Sequence, residues 1–470
     1  MNFKQLRKKY PHFVYQNYSY RVIKNNLEIV FTFKIRPQAR PDIEFKPKIV
    51  IKNIDLKLVN RIKGIILDNL VFHLGLIESL NYWKATCSAE MKIEAGYLSE
   101  KQIAWWKDLI LNGLGQFFYE NEIDFKDKDF LKITTRPMPV RRTPDFLEKD
   151  LKNRFIVPIG GGKDSIVTLE LLKQAEQDIN CFALNPNPTI NKVIKTGKCL
   201  NSIIVQRTID KKLLALNRKE FLNGHTPFSA YLAFLSVVLG IIFDYKYIAL
   251  SNERSSNEGN VKYLGKIINH QYSKSFEFEK KFRDYSKKYL AKNIEYFSFL
   301  RPLYEIQIAR LFSDYSKYFP VFLSCNEAHK TQSGTKKPTG KWCCNCSKCL
   351  FVFMSLYPFI ETDKLIDIFG QNLFGNKGLL LTMKELTGEA NFKPFECVGT
   401  QRESIVALYL AWQKTKKENK ELPYLLKYFE GSILPKYKNL EKESQAIMKS
   451  WDKQNNLPKN LLKFLEESLS

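Results

Sequence analysis

Residues 155–172 restrict the fold more than any other part of this chain. Phe155-Ile156-Val157-Pro158-Ile159 has the length and apolarity of a buried strand. Gly160-Gly161-Gly162-Lys163-Asp164-Ser165 follows directly, and Ile166, Leu169 and Leu172 then recur at helical spacing. A strand that hands over to a helix through three glycines suits a polyphosphate. Glycine lets backbone N–H groups converge on an anion, and the helix N-terminus adds its partial positive charge. Further short apolar runs at 179–184, 202–205 and 247–250 alternate with helical stretches. This alternation predicts an α/β fold, a parallel sheet with helices on both faces that binds its ligands at the carboxyl ends of the strands.

Within the loop, Lys163 supplies a mobile charge, Ser165 a hydroxyl donor, and Asp164 a carboxylate suited to Mg²⁺. The four-residue spacer of a Walker A loop is missing. The segment resembles instead the S-G-G-x-D-S loop of the PP-loop ATP pyrophosphatases, with Gly160 in place of the first Ser. That resemblance implies ATP cleavage between the α- and β-phosphates, with AMP transferred to a substrate oxygen. It also assigns Gly160, Gly161, Gly162, Lys163, Asp164 and Ser165 to the pyrophosphate, and Asn185, after the next strand, to the adenosine. Lys163→Ala or Asp164→Ala is then expected to abolish nucleotide cleavage and leave the fold intact.

Residues 1–145 are expected to form an α+β unit, with strand-like runs at 27–35 and 43–51. A Ser99/Gln102 capping box precedes a helix expected over 103–118, with Trp105, Trp106 and Leu109 on its buried face. Three prolines between Arg136 and Pro144 place a boundary there, so residues 146–361 form the nucleotide-binding domain and 362–470 a helical region. The excess of 74 Lys and Arg over 49 Asp and Glu fits either anionic ligands or a lysine-rich surface. Phe228 to Phe243 is apolar but falls short of the roughly 20 residues that span a bilayer, so it is expected to be a buried helix, and no membrane association is expected.

After the run at 247–250 comes Ser251-Asn252-Glu253-Arg254, a polar cluster in which Glu253 suits Mg²⁺, Asn252 a nucleotide contact and Arg254 a phosphate or carboxylate clamp. His225 heads the apolar helix as a capping neighbour or a proton carrier. Four of the nine cysteines crowd into 343–349, which points to metal binding in a reducing, cytoplasmic setting. Cys343, Cys346 and Cys349, with Cys325 as fourth ligand and Cys344 spare, suit one structural Zn²⁺.

The whole chain resembles the MurL-type UDP-N-acetylmuramoyl-L-alanyl-L-glutamate epimerases. The shared segments run from His73 to Ala85, Trp105-Trp106, Gly113 to Phe117, the Gly160 loop, Ser251 to Glu253, the cysteine cluster and Lys393 to Thr400. The resemblance implies that a UDP-muramoyl dipeptide is adenylated on its terminal L-glutamate and epimerised to D-glutamate, in peptidoglycan precursor synthesis. His225, His329, Glu396 and Cys397 are candidates for moving the proton. His73 and Lys84 either bind the UDP diphosphate or line the N-terminal unit. Two other readings share the loop or the cysteines. One is an enzyme that modifies nucleobases or tRNA, similar to 7-cyano-7-deazaguanine synthase. The other is a nucleic-acid-binding zinc protein, which leaves the Gly160 loop unexplained.

Overall fold

The computed structural model describes residues 2–38, 41–62, 64–137, 150–199, 201–219, 221–332, 334–390 and 392–469. The expected boundary between 136 and 145 falls almost wholly outside them. Among the described residues one sheet of eleven strands runs through both the N-terminal unit and the region after residue 150. In chain order its strands are β1 (His12–Ile23), β2 (Asn26–Arg36), β3 (Ile43–Phe45), β4 (Lys48–Ile51), β5 (Glu90–Ile93), β6 (Lys132–Thr135), β7 (Phe155–Pro158), β8 (Ile179–Leu184), β9 (Ile203–Thr208) and β10 (Tyr247–Leu250). A small hairpin, β11 (Val261–Tyr263) and β12 (Lys266–Ile268), stands apart, and β13 (Glu295–Ser298) completes the large sheet.

The spatial order is β13-β10-β7-β8-β9-β4-β2-β1-β5-β6, with β3 paired to β2. From β13 to β9 every pairing is parallel, as the alternating pattern predicts. The two halves join through an antiparallel pairing, Ile51 opposite Val205 and Lys48 opposite Thr208, so the sheet as a whole is mixed. A register between residues more than 150 positions apart leaves no local signal in either strand.

Alternation along each strand explains why the sheet is covered on both faces. Ile156, Phe182 and Ile248 point into one core with the helices Ile65–Trp83 and Phe228–Phe243. Val157, Cys181 and Ala249 point into the other, against the helices Lys163–Gln174, Ser347–Leu356 and Gln401–Lys417. Phe228–Phe243 is buried through most of its length, and no helix among the described residues is long and apolar enough to cross a membrane. In the N-terminal unit, Leu27, Ile29, Phe31, Phe33 and Ile35 of β2 are buried at every second position.

Several local expectations shift. The capping box forms as read, since Ser99 accepts from the Gln102 amide and Gln102 returns the bond, but the helix Glu100–Gly113 breaks at Leu114 before a second short helix, Gly115–Glu120. The run 43–51 divides into β3 and β4 around Pro47, whose ring nitrogen has no hydrogen to donate to a ladder. The structure also joins Cys181 and Cys199 in a disulfide, a pairing the cysteine spacing did not suggest.

Candidate active site

The strand order reverses between β7 and β10: the chain steps outward from β7 to β8 and β9, then returns to the other side of β7. At such a switch point the loops leaving the two central strands diverge and open a crevice at the carboxyl edge. The Gly160 loop leaves β7 there, and Ser251–Arg254 leaves β10 beside it.

Gly161 has φ +87°, a conformation that L side chains rarely adopt, and a Cβ on Gly162 would lie 2.7 Å from the Ser324 hydroxyl. The Leu323 N–H donates to the Gly161 carbonyl at 2.9 Å, so the 323–325 segment braces the loop from behind. Gly160 faces open space. Gly162 is the N-cap of Lys163–Gln174 and supplies no side chain to the first-turn N–H groups, which suits an anion at this end. Ser165 Oγ donates back to the Gly162 carbonyl at 3.0 Å.

Lys163 departs from its expected role. It is 1% exposed and ion-paired to both Asp164 and Glu305, so it is a pinned internal charge and not a mobile one. Burial works against its ammonium, but the two carboxylates outweigh that and raise its pKa above the ordinary lysine range. Glu305 was missed in the sequence; it follows β13 with only a proline-containing turn between, and nothing local marks it. Oxygens of Asp164, Glu253 and Glu305 all lie within 4.8 Å of one another. Burial raises the Glu253 and Glu305 carboxyls, and mutual repulsion adds to it. Burial would raise Asp164 as well, but Lys163 and Lys348 reverse the sign. Glu253 Oε1 is buried and accepts no hydrogen bond. Three convergent carboxylates with one orphaned oxygen fit a hard divalent cation such as Mg²⁺.

Other expected contacts are committed elsewhere. Arg254 lies over the Tyr304 ring at 4.4 Å and bonds Ser450 Oγ at 2.7 Å, a tether to the C-terminal region. Asn252 donates to Ser298 Oγ at 3.0 Å, tying β10 to β13. Asn185, at φ 47°, exchanges two bonds with the Arg207 backbone and closes the ends of β8 and β9. These asparagines hold strand ends in register. An open cleft of about 1000 Å³, with Thr189, Leu323 and Trp342 on its walls, adjoins the glycine loop.

Cys325, Cys343, Cys346 and Cys349 bring their sulfurs within 4.8 Å of one another, and Cys344 turns away to the Phe369 carbonyl at 3.1 Å. Four thiols converging in this way fit a tetrahedral Zn²⁺ site. Cys325 of the cluster lies within the 323–325 segment that braces Gly161, which couples the two sites mechanically.

A second group of titratable residues lies next to the carboxylates. His225 lies 4.6 Å, ring centre to ring centre, from His270, which the sequence did not single out, and not among the acids. Burial lowers His225 to about 3 and His270 to about 4. Lys84 donates to Thr226 Oγ1 at 3.0 Å below the same loop, and burial lowers it to about 8. His73 belongs to the core, between the Asn69 carbonyl at 2.8 Å and the Tyr285 hydroxyl at 3.0 Å. His329 sits 3.2 Å from Asn187 Nδ2.

The MurL N-terminal domain matches residues 4–299 and the MurL C-terminal domain residues 321–432. This chain belongs to the MurL family. It is 34% identical over 338 residues to the UDP-N-acetyl-alpha-D-muramoyl-L-alanyl-L-glutamate epimerase of a Micromonospora species, covering 72% of this chain and 73% of the relative. The proteins of the same name from Salinispora tropica and Xanthomonas oryzae pv. oryzae are each 32% identical, with 73% and 71% of this chain and 73% and 72% of the relatives covered. Asp164 and Glu253 fall within the MurL N-terminal match, and Glu305 lies in the stretch between the two matches.

Proposed function

We propose that this MurL-family chain is an ATP-dependent epimerase that converts the terminal L-glutamate of UDP-N-acetylmuramoyl-L-alanyl-L-glutamate to D-glutamate, releasing AMP and pyrophosphate, in the synthesis of peptidoglycan precursors. The observation that carries the reading is the acidic trio Asp164, Glu253 and Glu305 beside a glycine loop at a helix N-terminus, both at the switch point of a parallel sheet. The names of the relatives supply the substrate.

The chemistry explains why an epimerase would need a nucleotide. The α-hydrogen of a glutamate carboxylate is weakly acidic, because a second negative charge must develop beside the first. Adenylation removes the first charge and lets an enolate form. Loop amides at 160–162 would bind the leaving pyrophosphate, and the charge of Lys163 would hold Asp164 and Glu305 ionised and oriented. Asp164, Glu253 and Glu305 would hold Mg²⁺, which supplies neutralisation of phosphate charge. Zinc in the four-cysteine site would fix the 323–325 brace rather than take part in chemistry.

The test is to incubate the protein with ATP, Mg²⁺ and UDP-muramoyl-L-alanyl-L-glutamate, then assay AMP, pyrophosphate and the configuration of glutamate after hydrolysis. Formation of AMP and D-glutamate that depends on the dipeptide supports the reading. AMP formation driven by RNA or a deazapurine carboxylate, or no turnover at all, would overturn it.

A further inference from the structure

We infer that Cys397 is a proton-transfer residue of the epimerisation, its sulfur set in place by Lys274 and by the chain Glu120–Gln116–His270. This inference rests on the epimerase reading above. Lys274 Nζ donates to Cys397 Sγ at 3.2 Å, and His270 Nε2 stands 4.0 Å from the same sulfur. His270 Nδ1 lies 2.5 Å from Gln116 Oε1, and Gln116 Nε2 donates to the Glu120 carboxylate at 2.6 Å.

The donor inventory fixes the direction of this chain. A carboxylate only accepts, so the Gln116 amide turns its NH₂ to Glu120 and its oxygen to His270. An amide oxygen also only accepts, so the imidazole hydrogen sits on Nδ1. A neutral ring then presents a lone pair at Nε2 to the thiol. A nucleophile or base, a histidine and a group that fixes the histidine tautomer is the arrangement that activates a side chain, and the ammonium of Lys274 donates to the sulfur from the other side.

The sulfur also stands next to the proposed adenylation site. Lys348 donates to the Cys397 carbonyl and lies 3.8 Å from Glu305 Oε1, bridging the cysteine to the acidic trio. The segment carrying Cys397 is strapped down by Lys393 on Glu258 at 2.8 Å and by Asn260 on the Pro394 carbonyl at 2.8 Å. Cys397 lies more than 120 residues along the chain from both Lys274 and His270, so the sequence shows no pattern that joins it to them.

In the step this arrangement supports, the thiolate takes the α-proton of the adenylated glutamate. The C–H bond breaks, an S–H bond forms, and the electron pair passes to the acyl oxygen as an enolate. The opposite face takes a proton from water, and the thiol returns its proton to solvent through His270 Nε2. One solvent hydrogen enters the product and no oxidant is needed.

The experiment uses the full chain in D₂O with ATP, Mg²⁺ and UDP-muramoyl-L-alanyl-L-glutamate, and reads two quantities: dipeptide-dependent exchange of pyrophosphate into ATP, and deuterium at the glutamate α-carbon. Cys397→Ala and Cys397→Ser should lower deuterium incorporation by about 10²–10⁴-fold, with a much smaller fall in exchange. His270→Asn should lower kcat for incorporation while leaving KM for the dipeptide in place. Wild-type incorporation in Cys397→Ala would overturn the inference, as would equal loss of both readouts in Cys397→Ser with an unchanged melting temperature. Absence of exchange in the wild type would overturn the adenylation reading itself, and is thereby told apart from failure of Cys397 alone.

Discussion

Replacing Lys163 with Met is the perturbation whose outcome the structure constrains most tightly. The side chain is 1% exposed and so is Glu305, its ion-pair partner, with Asp164 on the other side. Methionine matches the length of the lysine stem, so the substitution removes a charge and leaves little void. What remains is a buried carboxylate without its main partner, a change that costs about 3–5 kcal/mol when one member of a buried pair is deleted. At about 2 °C per kcal/mol for a large domain, the melting temperature should fall by about 6–10 °C near neutral pH. The variant is therefore not expected to leave the fold untouched, although the loop position alone suggests that it would. Burial already raises the Glu305 carboxyl, and losing Lys163 raises it further. A raised group contributes stability that is present below its unfolded pKa and lost as pH rises through the folded one. The deficit of Lys163→Met should accordingly shrink toward acidic pH and widen toward alkaline pH. Adding Glu305→Gln removes the stranded charge and should recover about half or more of the loss. Calorimetry of wild type, both single variants and the double variant across pH checks this. A single variant that melts within a degree of wild type, or a double variant no better than Lys163→Met, would refute the buried-pair argument.

Glu253→Gln should raise stability at about pH 8 in Mg²⁺-free buffer, because it removes a buried carboxylate whose raised pKa disfavours the folded state there, and it should show no gain near pH 4. The same variant should weaken Mg²⁺ binding measured by calorimetry; a loss of stability at pH 8 would contradict the assignment. Gly162→Ala places a methyl 2.7 Å from Ser324 Oγ and should cost about 1–3 kcal/mol and raise KM for ATP, with Ser324→Gly partly restoring both in thermal melts and AMP assays. Cys346→Ser should lose bound zinc and melt earlier, whereas Cys344→Ser should retain the metal, as measured by elemental analysis of the purified proteins.

The residues by themselves determined those parts of the protein whose physics is local. An apolar run of four to six residues, three glycines and a helical repeat specify a strand, a turn and a helix in that order, so Phe155–Pro158 and Lys163–Gln174 were legible, as were Ile179–Leu184, Tyr247–Leu250 and Phe228–Phe243. The cysteine spacing likewise announced the group at 343–349 and left Cys344 out of it. Tertiary structure alone decided what depends on pairing between distant segments. The antiparallel seam of β4 and β9 merges two units into one sheet, and β1, β5, β6 and β13 take their places from that sheet. Glu305 becomes part of the acidic trio only because β13 lies next to β10, which returns beside β7 across the switch point. Arg254 and Asn185, polar and suitably placed in the sequence, are bonded by the fold to Ser450 and to the Arg207 backbone, partners that no local pattern shows. A side chain's chemistry is written in its residue type. Its role is set by which charges and hydrogen-bond partners the fold brings within a few ångströms, and for Lys163 that made a loop residue into the buried counter-ion of two carboxylates.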